Sequence, residues 1–251
     1  MSGHSKWSTI KRKKGKEDQR RGKVFSRLAR EIIVAARAGG GDPGANTRLR
    51  VAIQAAKAAN MPADNIARAI KRGTGEGEGA QLEEITYEAY GPGGVAMCVA
   101  VMTDNKNRTT PEIRHILDRL GASMAELGAV TWMFERKGMI LVDKDRATEE
   151  QLMEAVLDAG AEDIRESDDV FEIYCPPDAL ADLTDALAAA DINFATAEVS
   201  LVPKSVIPLE GKNAAKFMKL LEALEDHDDV QTVYANFDIP TSVMEKLAAA
   251  T

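Results

Sequence analysis

Apolar residues in the first 75 positions recur at helical spacing. In the stretch 17–38, Phe25, Leu28, Ala29, Ile32 and Ala36 fall on one face of a helix at about 100° per residue. Arg20, Lys23, Arg27, Arg30 and Arg37 fall on the opposite face. Gly39-Gly40-Gly41-Asp42-Pro43-Gly44 ends that pattern. A second helix is predicted from Leu49, Ala52, Ile53 and Ala56 at i, i+3, i+4 and i+7. A third starts near Asn60-Met61-Pro62, with proline in the first turn, where its missing N–H is harmless. It packs through Ile66, Ala69 and Ile70 and stops at Lys71-Arg72-Gly73. The glycines from Gly73 to Gly79 are spaced like a phosphate loop. They lack its Lys-Ser/Thr pair, and Glu76 and Glu78 would repel phosphate, so the segment reads as a flexible linker.

From Glu84 the period changes to that of strands. Residues 85–90 and 95–103 flank Gly91-Pro92-Gly93-Gly94, a hairpin signal. Thr110-Pro111 is expected to open a helix with Ile113, Ile116, Leu117 and Leu120 inward and Gly121 at its end. A strand is expected over 130–136. Residues 138–203 then read as strand 139–142, helix 149–159, strands 163–166 and 170–175, helix 177–190 and strand 194–202. That order, βαββαβ, is the ferredoxin-like plait. Segments 205–209, 212–225 and 230–236 are too few to bury a core of their own. Joined to the segment before the plait they complete a second α/β domain. The expected fold is α+β: a helical domain over 1–77, a discontinuous α/β domain over 78–137 and 204–251, and a ferredoxin-like insert over 138–203.

Charge sharpens this division. Residues 1–75 hold 18 Lys+Arg against 5 Asp+Glu, and residues 76–251 hold 14 against 35, so +13 and −21 are masked by a net −8. One end is built to meet polyanions, and the rest would be repelled by them. The basic run Lys11-Arg12-Lys13-Lys14-Gly15-Lys16 continues onto the first helix through Arg20, Arg21, Lys23, Arg27 and Arg30. Cations held in register on phosphates release condensed counterions, which predicts salt-dependent nucleic-acid binding. A solvated tail is the plainer reading of the run, and the helix face argues against it. A membrane-surface helix is disfavoured by alanine at two of the five stripe positions. Lys6, Arg37, Arg48, Arg50, Lys71 and Arg72 complete the candidate cations. Trp7 either stacks on a base or anchors the arm to the body. Trp132/Phe134 and Phe171/Tyr174 read as core or protein contacts, because the RNA-binding aromatic motif is missing.

Other chemistry is sparse. Cys98 and Cys175 lie in apolar runs and read as buried thiols of a reducing compartment. His4, His115 and His227 are isolated and form no zinc spacing. Asp143/Asp145, Asp168/Asp169 and Asp228/Asp229 fit turn solvation better than magnesium binding. No nucleophile elbow occurs. No enzyme activity, metal or cofactor is expected. No apolar run approaches the ~20 residues of a bilayer span, and the basic start is not followed by an apolar stretch. A cytoplasmic protein with no membrane partner is therefore expected.

Gly3-His4-Ser5-Lys6-Trp7, residues 30–37 (Arg-Glu-Ile-Ile-Val-Ala-Ala-Arg), Gly39-Gly40-Gly41-Asp42-Pro43, Ala58-Ala59-Asn60-Met61-Pro62, residues 70–75 (Ile-Lys-Arg-Gly-Thr-Gly), residues 90–95 (Tyr-Gly-Pro-Gly-Gly-Val) and Thr103-Asp104-Asn105 resemble the YebC family along essentially the whole chain. The resemblance implies a basic helical domain followed by two α/β domains, one inserted in the other. It also implies an expression factor that binds nucleic acid. The family is labelled as probable DNA-binding transcriptional regulators. Its mitochondrial relatives activate translation, and bacterial members are associated with ribosomes and proline-rich stretches. DNA and ribosomal RNA are both implied partners, with the ribosome or another protein available to the acidic domains. Where that family has a glycine-rich segment, this chain reads Gly121-Ala122-Ser123-Met124-Ala125-Glu126-Leu127-Gly128.

Overall fold

The computed structural model describes residues 6–7, 9–10, 17–75, 82–167 and 169–249, the side chains of 17–21 and 247–249 excepted. In chain order the elements are α1 (Glu17–Gly39), α2 (Thr47–Ala58), α3 (Ala63–Gly73), β1 (Glu83–Tyr90), β2 (Ala96–Thr103), α4 (Lys106–Arg119), β3 (Ser123–Met124), β4 (Phe134–Asp143) and α5 (Glu149–Val156). There follow β5 (Asp163–Glu166), β6 (Val170–Cys175), α6 (Leu180–Ala189), β7 (Thr196–Pro203), β8 (Ile207–Pro208), α7 (Gly211–Glu225), β9 (Val230–Ala235), β10 (Phe237–Asp238) and α8 (Thr241–Ala249). They form two compact units. One holds the described residues of 1–15, 81–135 and 201–251, and the other those of 16–80 and 136–200.

The helical part of the second unit is built around the end of α1. Ile32, Ile33, Val34, Ala35 and Ala36 are all buried. Five successive residues turn through more than a full circle, so this stretch is enclosed on every side rather than along the single stripe expected. α2 and α3 both pack on α1. Two residues set that packing. Asn46 caps α2 by accepting from Leu49 N at 3.1 Å, while its amide donates to Ala35 O at 2.8 Å and Gly40 O at 2.9 Å. It thus closes the end of α1 onto the start of α2. Gly73 is not the left-handed helix stop expected of it; it is buried inside the end of α3. A β-carbon there would lie 2.5 Å from Ile33 O and 2.6 Å from Ala36 Cβ, so the glycine lets two backbones touch. Pro62 stands just ahead of α3, at its N-cap, one position earlier than expected.

In the first unit the sheet order is β3-β1-β2-β9. β1 and β2 pair antiparallel from Glu83↔Thr103 to Tyr90↔Ala96, around a turn at Pro92–Gly94 in which Gly93 and Gly94 take φ of 80°. β2 is buried on both faces, which is why its sequence is a continuous apolar run instead of an alternation. One face meets Ile113, Leu117, Phe217, Leu220, Leu221 and Leu224 from α4 and α7. The other meets Val130 and Phe134. α4 starts earlier than expected, at Lys106, because Asn105 caps it by accepting from Arg108 N at 3.1 Å. Pro111 therefore sits inside the helix instead of opening it. The strand expected at 130–136 is a 3-10 turn at Thr131–Met133 followed by β4. Phe134 is in the core, whereas Trp132 is 65% exposed.

The plait has sheet order β5-β6-β4-β7, the ferredoxin-like arrangement. β4 and β6 pair antiparallel from Gly138↔Cys175 to Asp143↔Val170. Ile140, Val142, Phe171 and Ile173 pack against Leu152 and Val156 of α5 and Leu180, Leu183 and Leu187 of α6. α5 begins with a reciprocal cap: Thr148 accepts from Gln151 N, and the Gln151 amide oxygen accepts from Thr148 N. β8 and β10 form a short parallel pair that the sequence pattern did not announce.

Candidate nucleic-acid interface

The candidate cations divide by where the fold puts them. Lys6 and Trp7 belong to the first unit, not to the basic helices. Lys6 Nζ pairs with Asp238 Oδ1 at 2.8 Å, and its side chain is 8% exposed. Trp7 is buried in the core under α7 and donates from Nε1 to Glu225 Oε2 at 3.2 Å. Of the two roles open to Trp7, this structure shows the anchor. Lys11, Arg12, Lys13, Lys14 and Lys16 lie outside the described residues, as do the side chains of Arg20 and Arg21.

The remaining cations sit on the three helices. On α1, Lys23, Arg27 and Arg30 are spaced 4 and 3 residues apart and share one face over about 10 Å of axis, and Arg37 lies beyond the buried stretch 32–36. Lys23 and Arg37 are exposed, and Arg27 and Arg30 are half-buried. Arg48, at the start of α2, forks onto Glu31 of α1, with Nε to Oε1 at 2.7 Å and Nη2 to Oε2 at 3.2 Å. Both partners are partly exposed, so this pair contributes at most about 1 kcal/mol and leaves the guanidinium near the surface. Arg50 is half-buried and Lys71 exposed. Arg72 is half-buried, with Nε buried and lacking an acceptor. Two exposed cations were not among the expected residues, Lys57 in the last turn of α2 and Arg68 on α3. Arg68 shares its face with Lys71 at i+3, a spacing visible in the sequence, and it bonds Asn65 Oδ1 and Asp64 O. Over residues 17–75 there are 12 Lys+Arg against 5 Asp+Glu, so the helical part is strongly cationic without its N-terminal arm.

One member of the acidic pairs, Asp229, has a structural role. Asp229 is buried and accepts from Thr109 Oγ1 at 2.6 Å, Thr103 Oγ1 at 3.1 Å and Arg108 Nη2 at 2.8 Å, tying β2, α4 and the start of β9. Asp229 N donates to His227 Nδ1 at 3.2 Å, which puts the ring proton on Nε2, 3.0 Å from Glu112 Oε2. Among the described residues no group of three His, Cys, Asp or Glu side chains is placed to hold a metal. Burial pushes both thiols up to about 11. For Cys98 Glu88 adds to this against a Thr131 hydrogen bond, and for Cys175 Glu162 and Asp178 add to it. Neither is a nucleophile at neutral pH.

One polar site was not legible in the sequence. Glu88, on β1, is 3% exposed, and its carboxylate accepts from Gly128 N at 2.6 Å, Val130 N at 2.6 Å and Thr131 N at 3.0 Å. Burial alone would raise its pKa, but these bonds together hold it below the ordinary value. A glutamate in a strand carries no advance signal that it will organise a loop 40 residues away.

Fold and charge together define an α+β protein with a strongly cationic set of N-terminal helices. Two family descriptions match it in succession: the TACO1/YebC protein N-terminal domain over residues 5–76, and the TACO1/YebC second and third domain over residues 82–237. The chain belongs to the TACO1/YebC family. It is 53% identical to a probable transcriptional regulatory protein of Geobacter sulfurreducens, over 98% of this chain and 100% of that one. It is 56% identical to one of Pelotomaculum thermopropionicum, over 95% and 99%. It superposes on the crystal structure of a conserved hypothetical protein from Aquifex aeolicus with a TM-score of 0.82 and 48% identity, covering 89% of this chain and 92% of that one. The names of these relatives support a regulator-like role. Among the described residues no helix is long and apolar enough to cross a membrane.

Proposed function

We propose that this chain is a non-enzymatic regulator of gene expression that binds nucleic acid through its helical part. The cations of α1, with Lys57, Arg68 and Lys71, lie on phosphates, and the N-terminal arm adds to them. The observation that supports this most is the segregation of charge, +13 over residues 1–75 against −21 over the rest. The acidic α/β domains stay off the phosphate surface that the helices bind.

Duplex DNA is the first reading, taken from the relatives' description as probable transcriptional regulators. Ribosomal RNA is the second reading, and a specific observation supports it. On α2 and α3 the only exposed side-chain amide is that of Gln54, and Asp64 is exposed on α3. A helix that reads the major groove needs a row of such amides and arginines aimed at base edges. These helices offer contacts to phosphate instead, which suit the irregular phosphate surface of folded RNA. Two measurements in 150 mM salt separate the readings. A promoter fragment bound at least ~1,000-fold more tightly than scrambled DNA is expected of a DNA regulator. Cosedimentation with ribosomes, with sequence-blind DNA binding, is expected of the ribosomal reading. Absence of both contradicts the proposal.

A further inference from the structure

Among the described residues of the first unit, Trp132 is the most exposed aromatic side chain, ahead of Tyr90, and it is held in place. Trp132 is 65% exposed and sits on the 3-10 turn Thr131–Met133. Its indole N–H donates to Ala129 O at 3.0 Å, which fixes the ring. Its own carbonyl accepts from Lys204 Nζ at 2.9 Å, and Met133 O accepts from Lys204 N at 2.9 Å. Ala129 O also accepts from Tyr90 OH at 3.2 Å. Beneath the turn lies the Glu88 carboxylate with its three backbone donors. Leu127, in the same loop, is 91% exposed. Single exposed apolar side chains are ordinary, but here Trp132, Leu127 and Tyr90 are exposed on one loop and the strand beside it, and clustered exposure marks a contact surface.

The bracing selects the partner. With its N–H already used inside the loop, the indole offers an outside partner only its π face and hydrocarbon edge. Lys204 brings a cation to the same turn, and its ammonium has two donors beyond the one given to Trp132 O. Arg114, which contacts Met124 Sδ at the start of the loop, brings a second. A flat ring with cations beside it complements an unpaired base and its phosphate. We infer that the loop 123–133 is a second nucleic-acid contact, in which Trp132 stacks on a single unpaired base and Lys204 takes the neighbouring phosphate. This rests on the nucleic-acid reading above and deepens it: the target carries an unpaired segment as well as the phosphate surface that meets the helices.

The chain has two tryptophans, and Trp7 is buried. Trp7→Phe keeps an aromatic anchor and leaves Trp132 as the sole indole reporter. In that full-length variant, an unstructured eight-nucleotide single strand, RNA or DNA, is expected to quench the fluorescence, and a blunt duplex of the same sequence is not. Trp132→Ala in the otherwise natural chain should bind the single strand about 5- to 100-fold more weakly, with duplex binding unchanged. Trp132→Phe should restore most of the affinity, because the stacking face is kept. Single-strand binding that neither quenches Trp132 nor changes in Trp132→Ala overturns this inference while leaving the helical interface standing. Failure of single strand and duplex alike to bind overturns both. Shielding of Trp132 from acrylamide by ribosomal protein but not by oligonucleotide would assign the loop to a protein pocket and overturn the stacking role.

Discussion

Single residues carry the stability of the two surfaces. Glu88 accepts three backbone N–H bonds, and replacing it with glutamine leaves one oxygen and a misplaced amide among those donors. Glu88→Gln is expected to destabilise the first unit by about 1–3 kcal/mol, read by urea denaturation. Its pH dependence has a definite sign. The folded carboxyl lies below its ordinary value of 4.5, so its contribution is complete above that pH and is lost as pH falls through the lower, folded value. Acid titration monitored by Trp132 fluorescence in Trp7→Phe should therefore show the loop loosening only below about pH 4.5, and Glu88→Gln should lack that step. Asn46 is the matching residue of the helical part. Asn46→Ala removes a cap and two cross-links and leaves Ala35 O buried, with an expected loss of about 1–2 kcal/mol. The thiols make a simpler case. With Cys98 and Cys175 raised to about 11, neither should react with a thiol reagent at pH 8 until urea unfolds the chain.

Elements were legible where local pattern decides them. The hairpin around Gly91-Pro92-Gly93-Gly94, the three basic helices and the βαββαβ order all follow from period, caps and breakers in the sequence. The misreadings lie where a distant partner overrode the local signal. Pro111 looked like a helix start, but Asn105 caps the helix six residues earlier, and Asp229 from the far end of the chain gathers Thr103, Arg108 and Thr109 around that start. Residues 131–133 have strand composition, yet Glu88 collects the backbone N–H groups of 128, 130 and 131 and turns the chain. Gly73 looked like punctuation and is instead a packing contact. Gly73→Ala is expected to separate the end of α3 from α1, because Ile33 O is backbone and has little room to retreat. A loss of about 1–3 kcal/mol in the helical transition is expected, with the plait unaffected in hydrogen exchange. The candidate site was legible as charge and not as geometry. Lys6 and Trp7 sit in the basic N-terminal stretch but fold into the first unit, while Lys57 stands apart from the other cations and Arg68 shows only as the i+3 partner of Lys71.

At the scale of the whole molecule, charge is the organising fact. A net −8 would predict indifference to nucleic acid, yet the cations are gathered in the helical part and its arm. Affinity should then fall steeply with salt, by close to 0.9 in log–log slope for each duplex phosphate neutralised. For a blunt duplex the α/β domains would contribute nothing to that slope. The most direct test is reversal of the α1 row, with Arg20, Lys23, Arg27 and Arg30 all changed to Glu. Nucleic-acid affinity would be measured over a salt series after circular dichroism has shown the helices intact. Loss of binding at 150 mM salt, with a slope shallower by about 3–4, is the result the charge segregation predicts. Unchanged affinity and slope in a folded variant would contradict it.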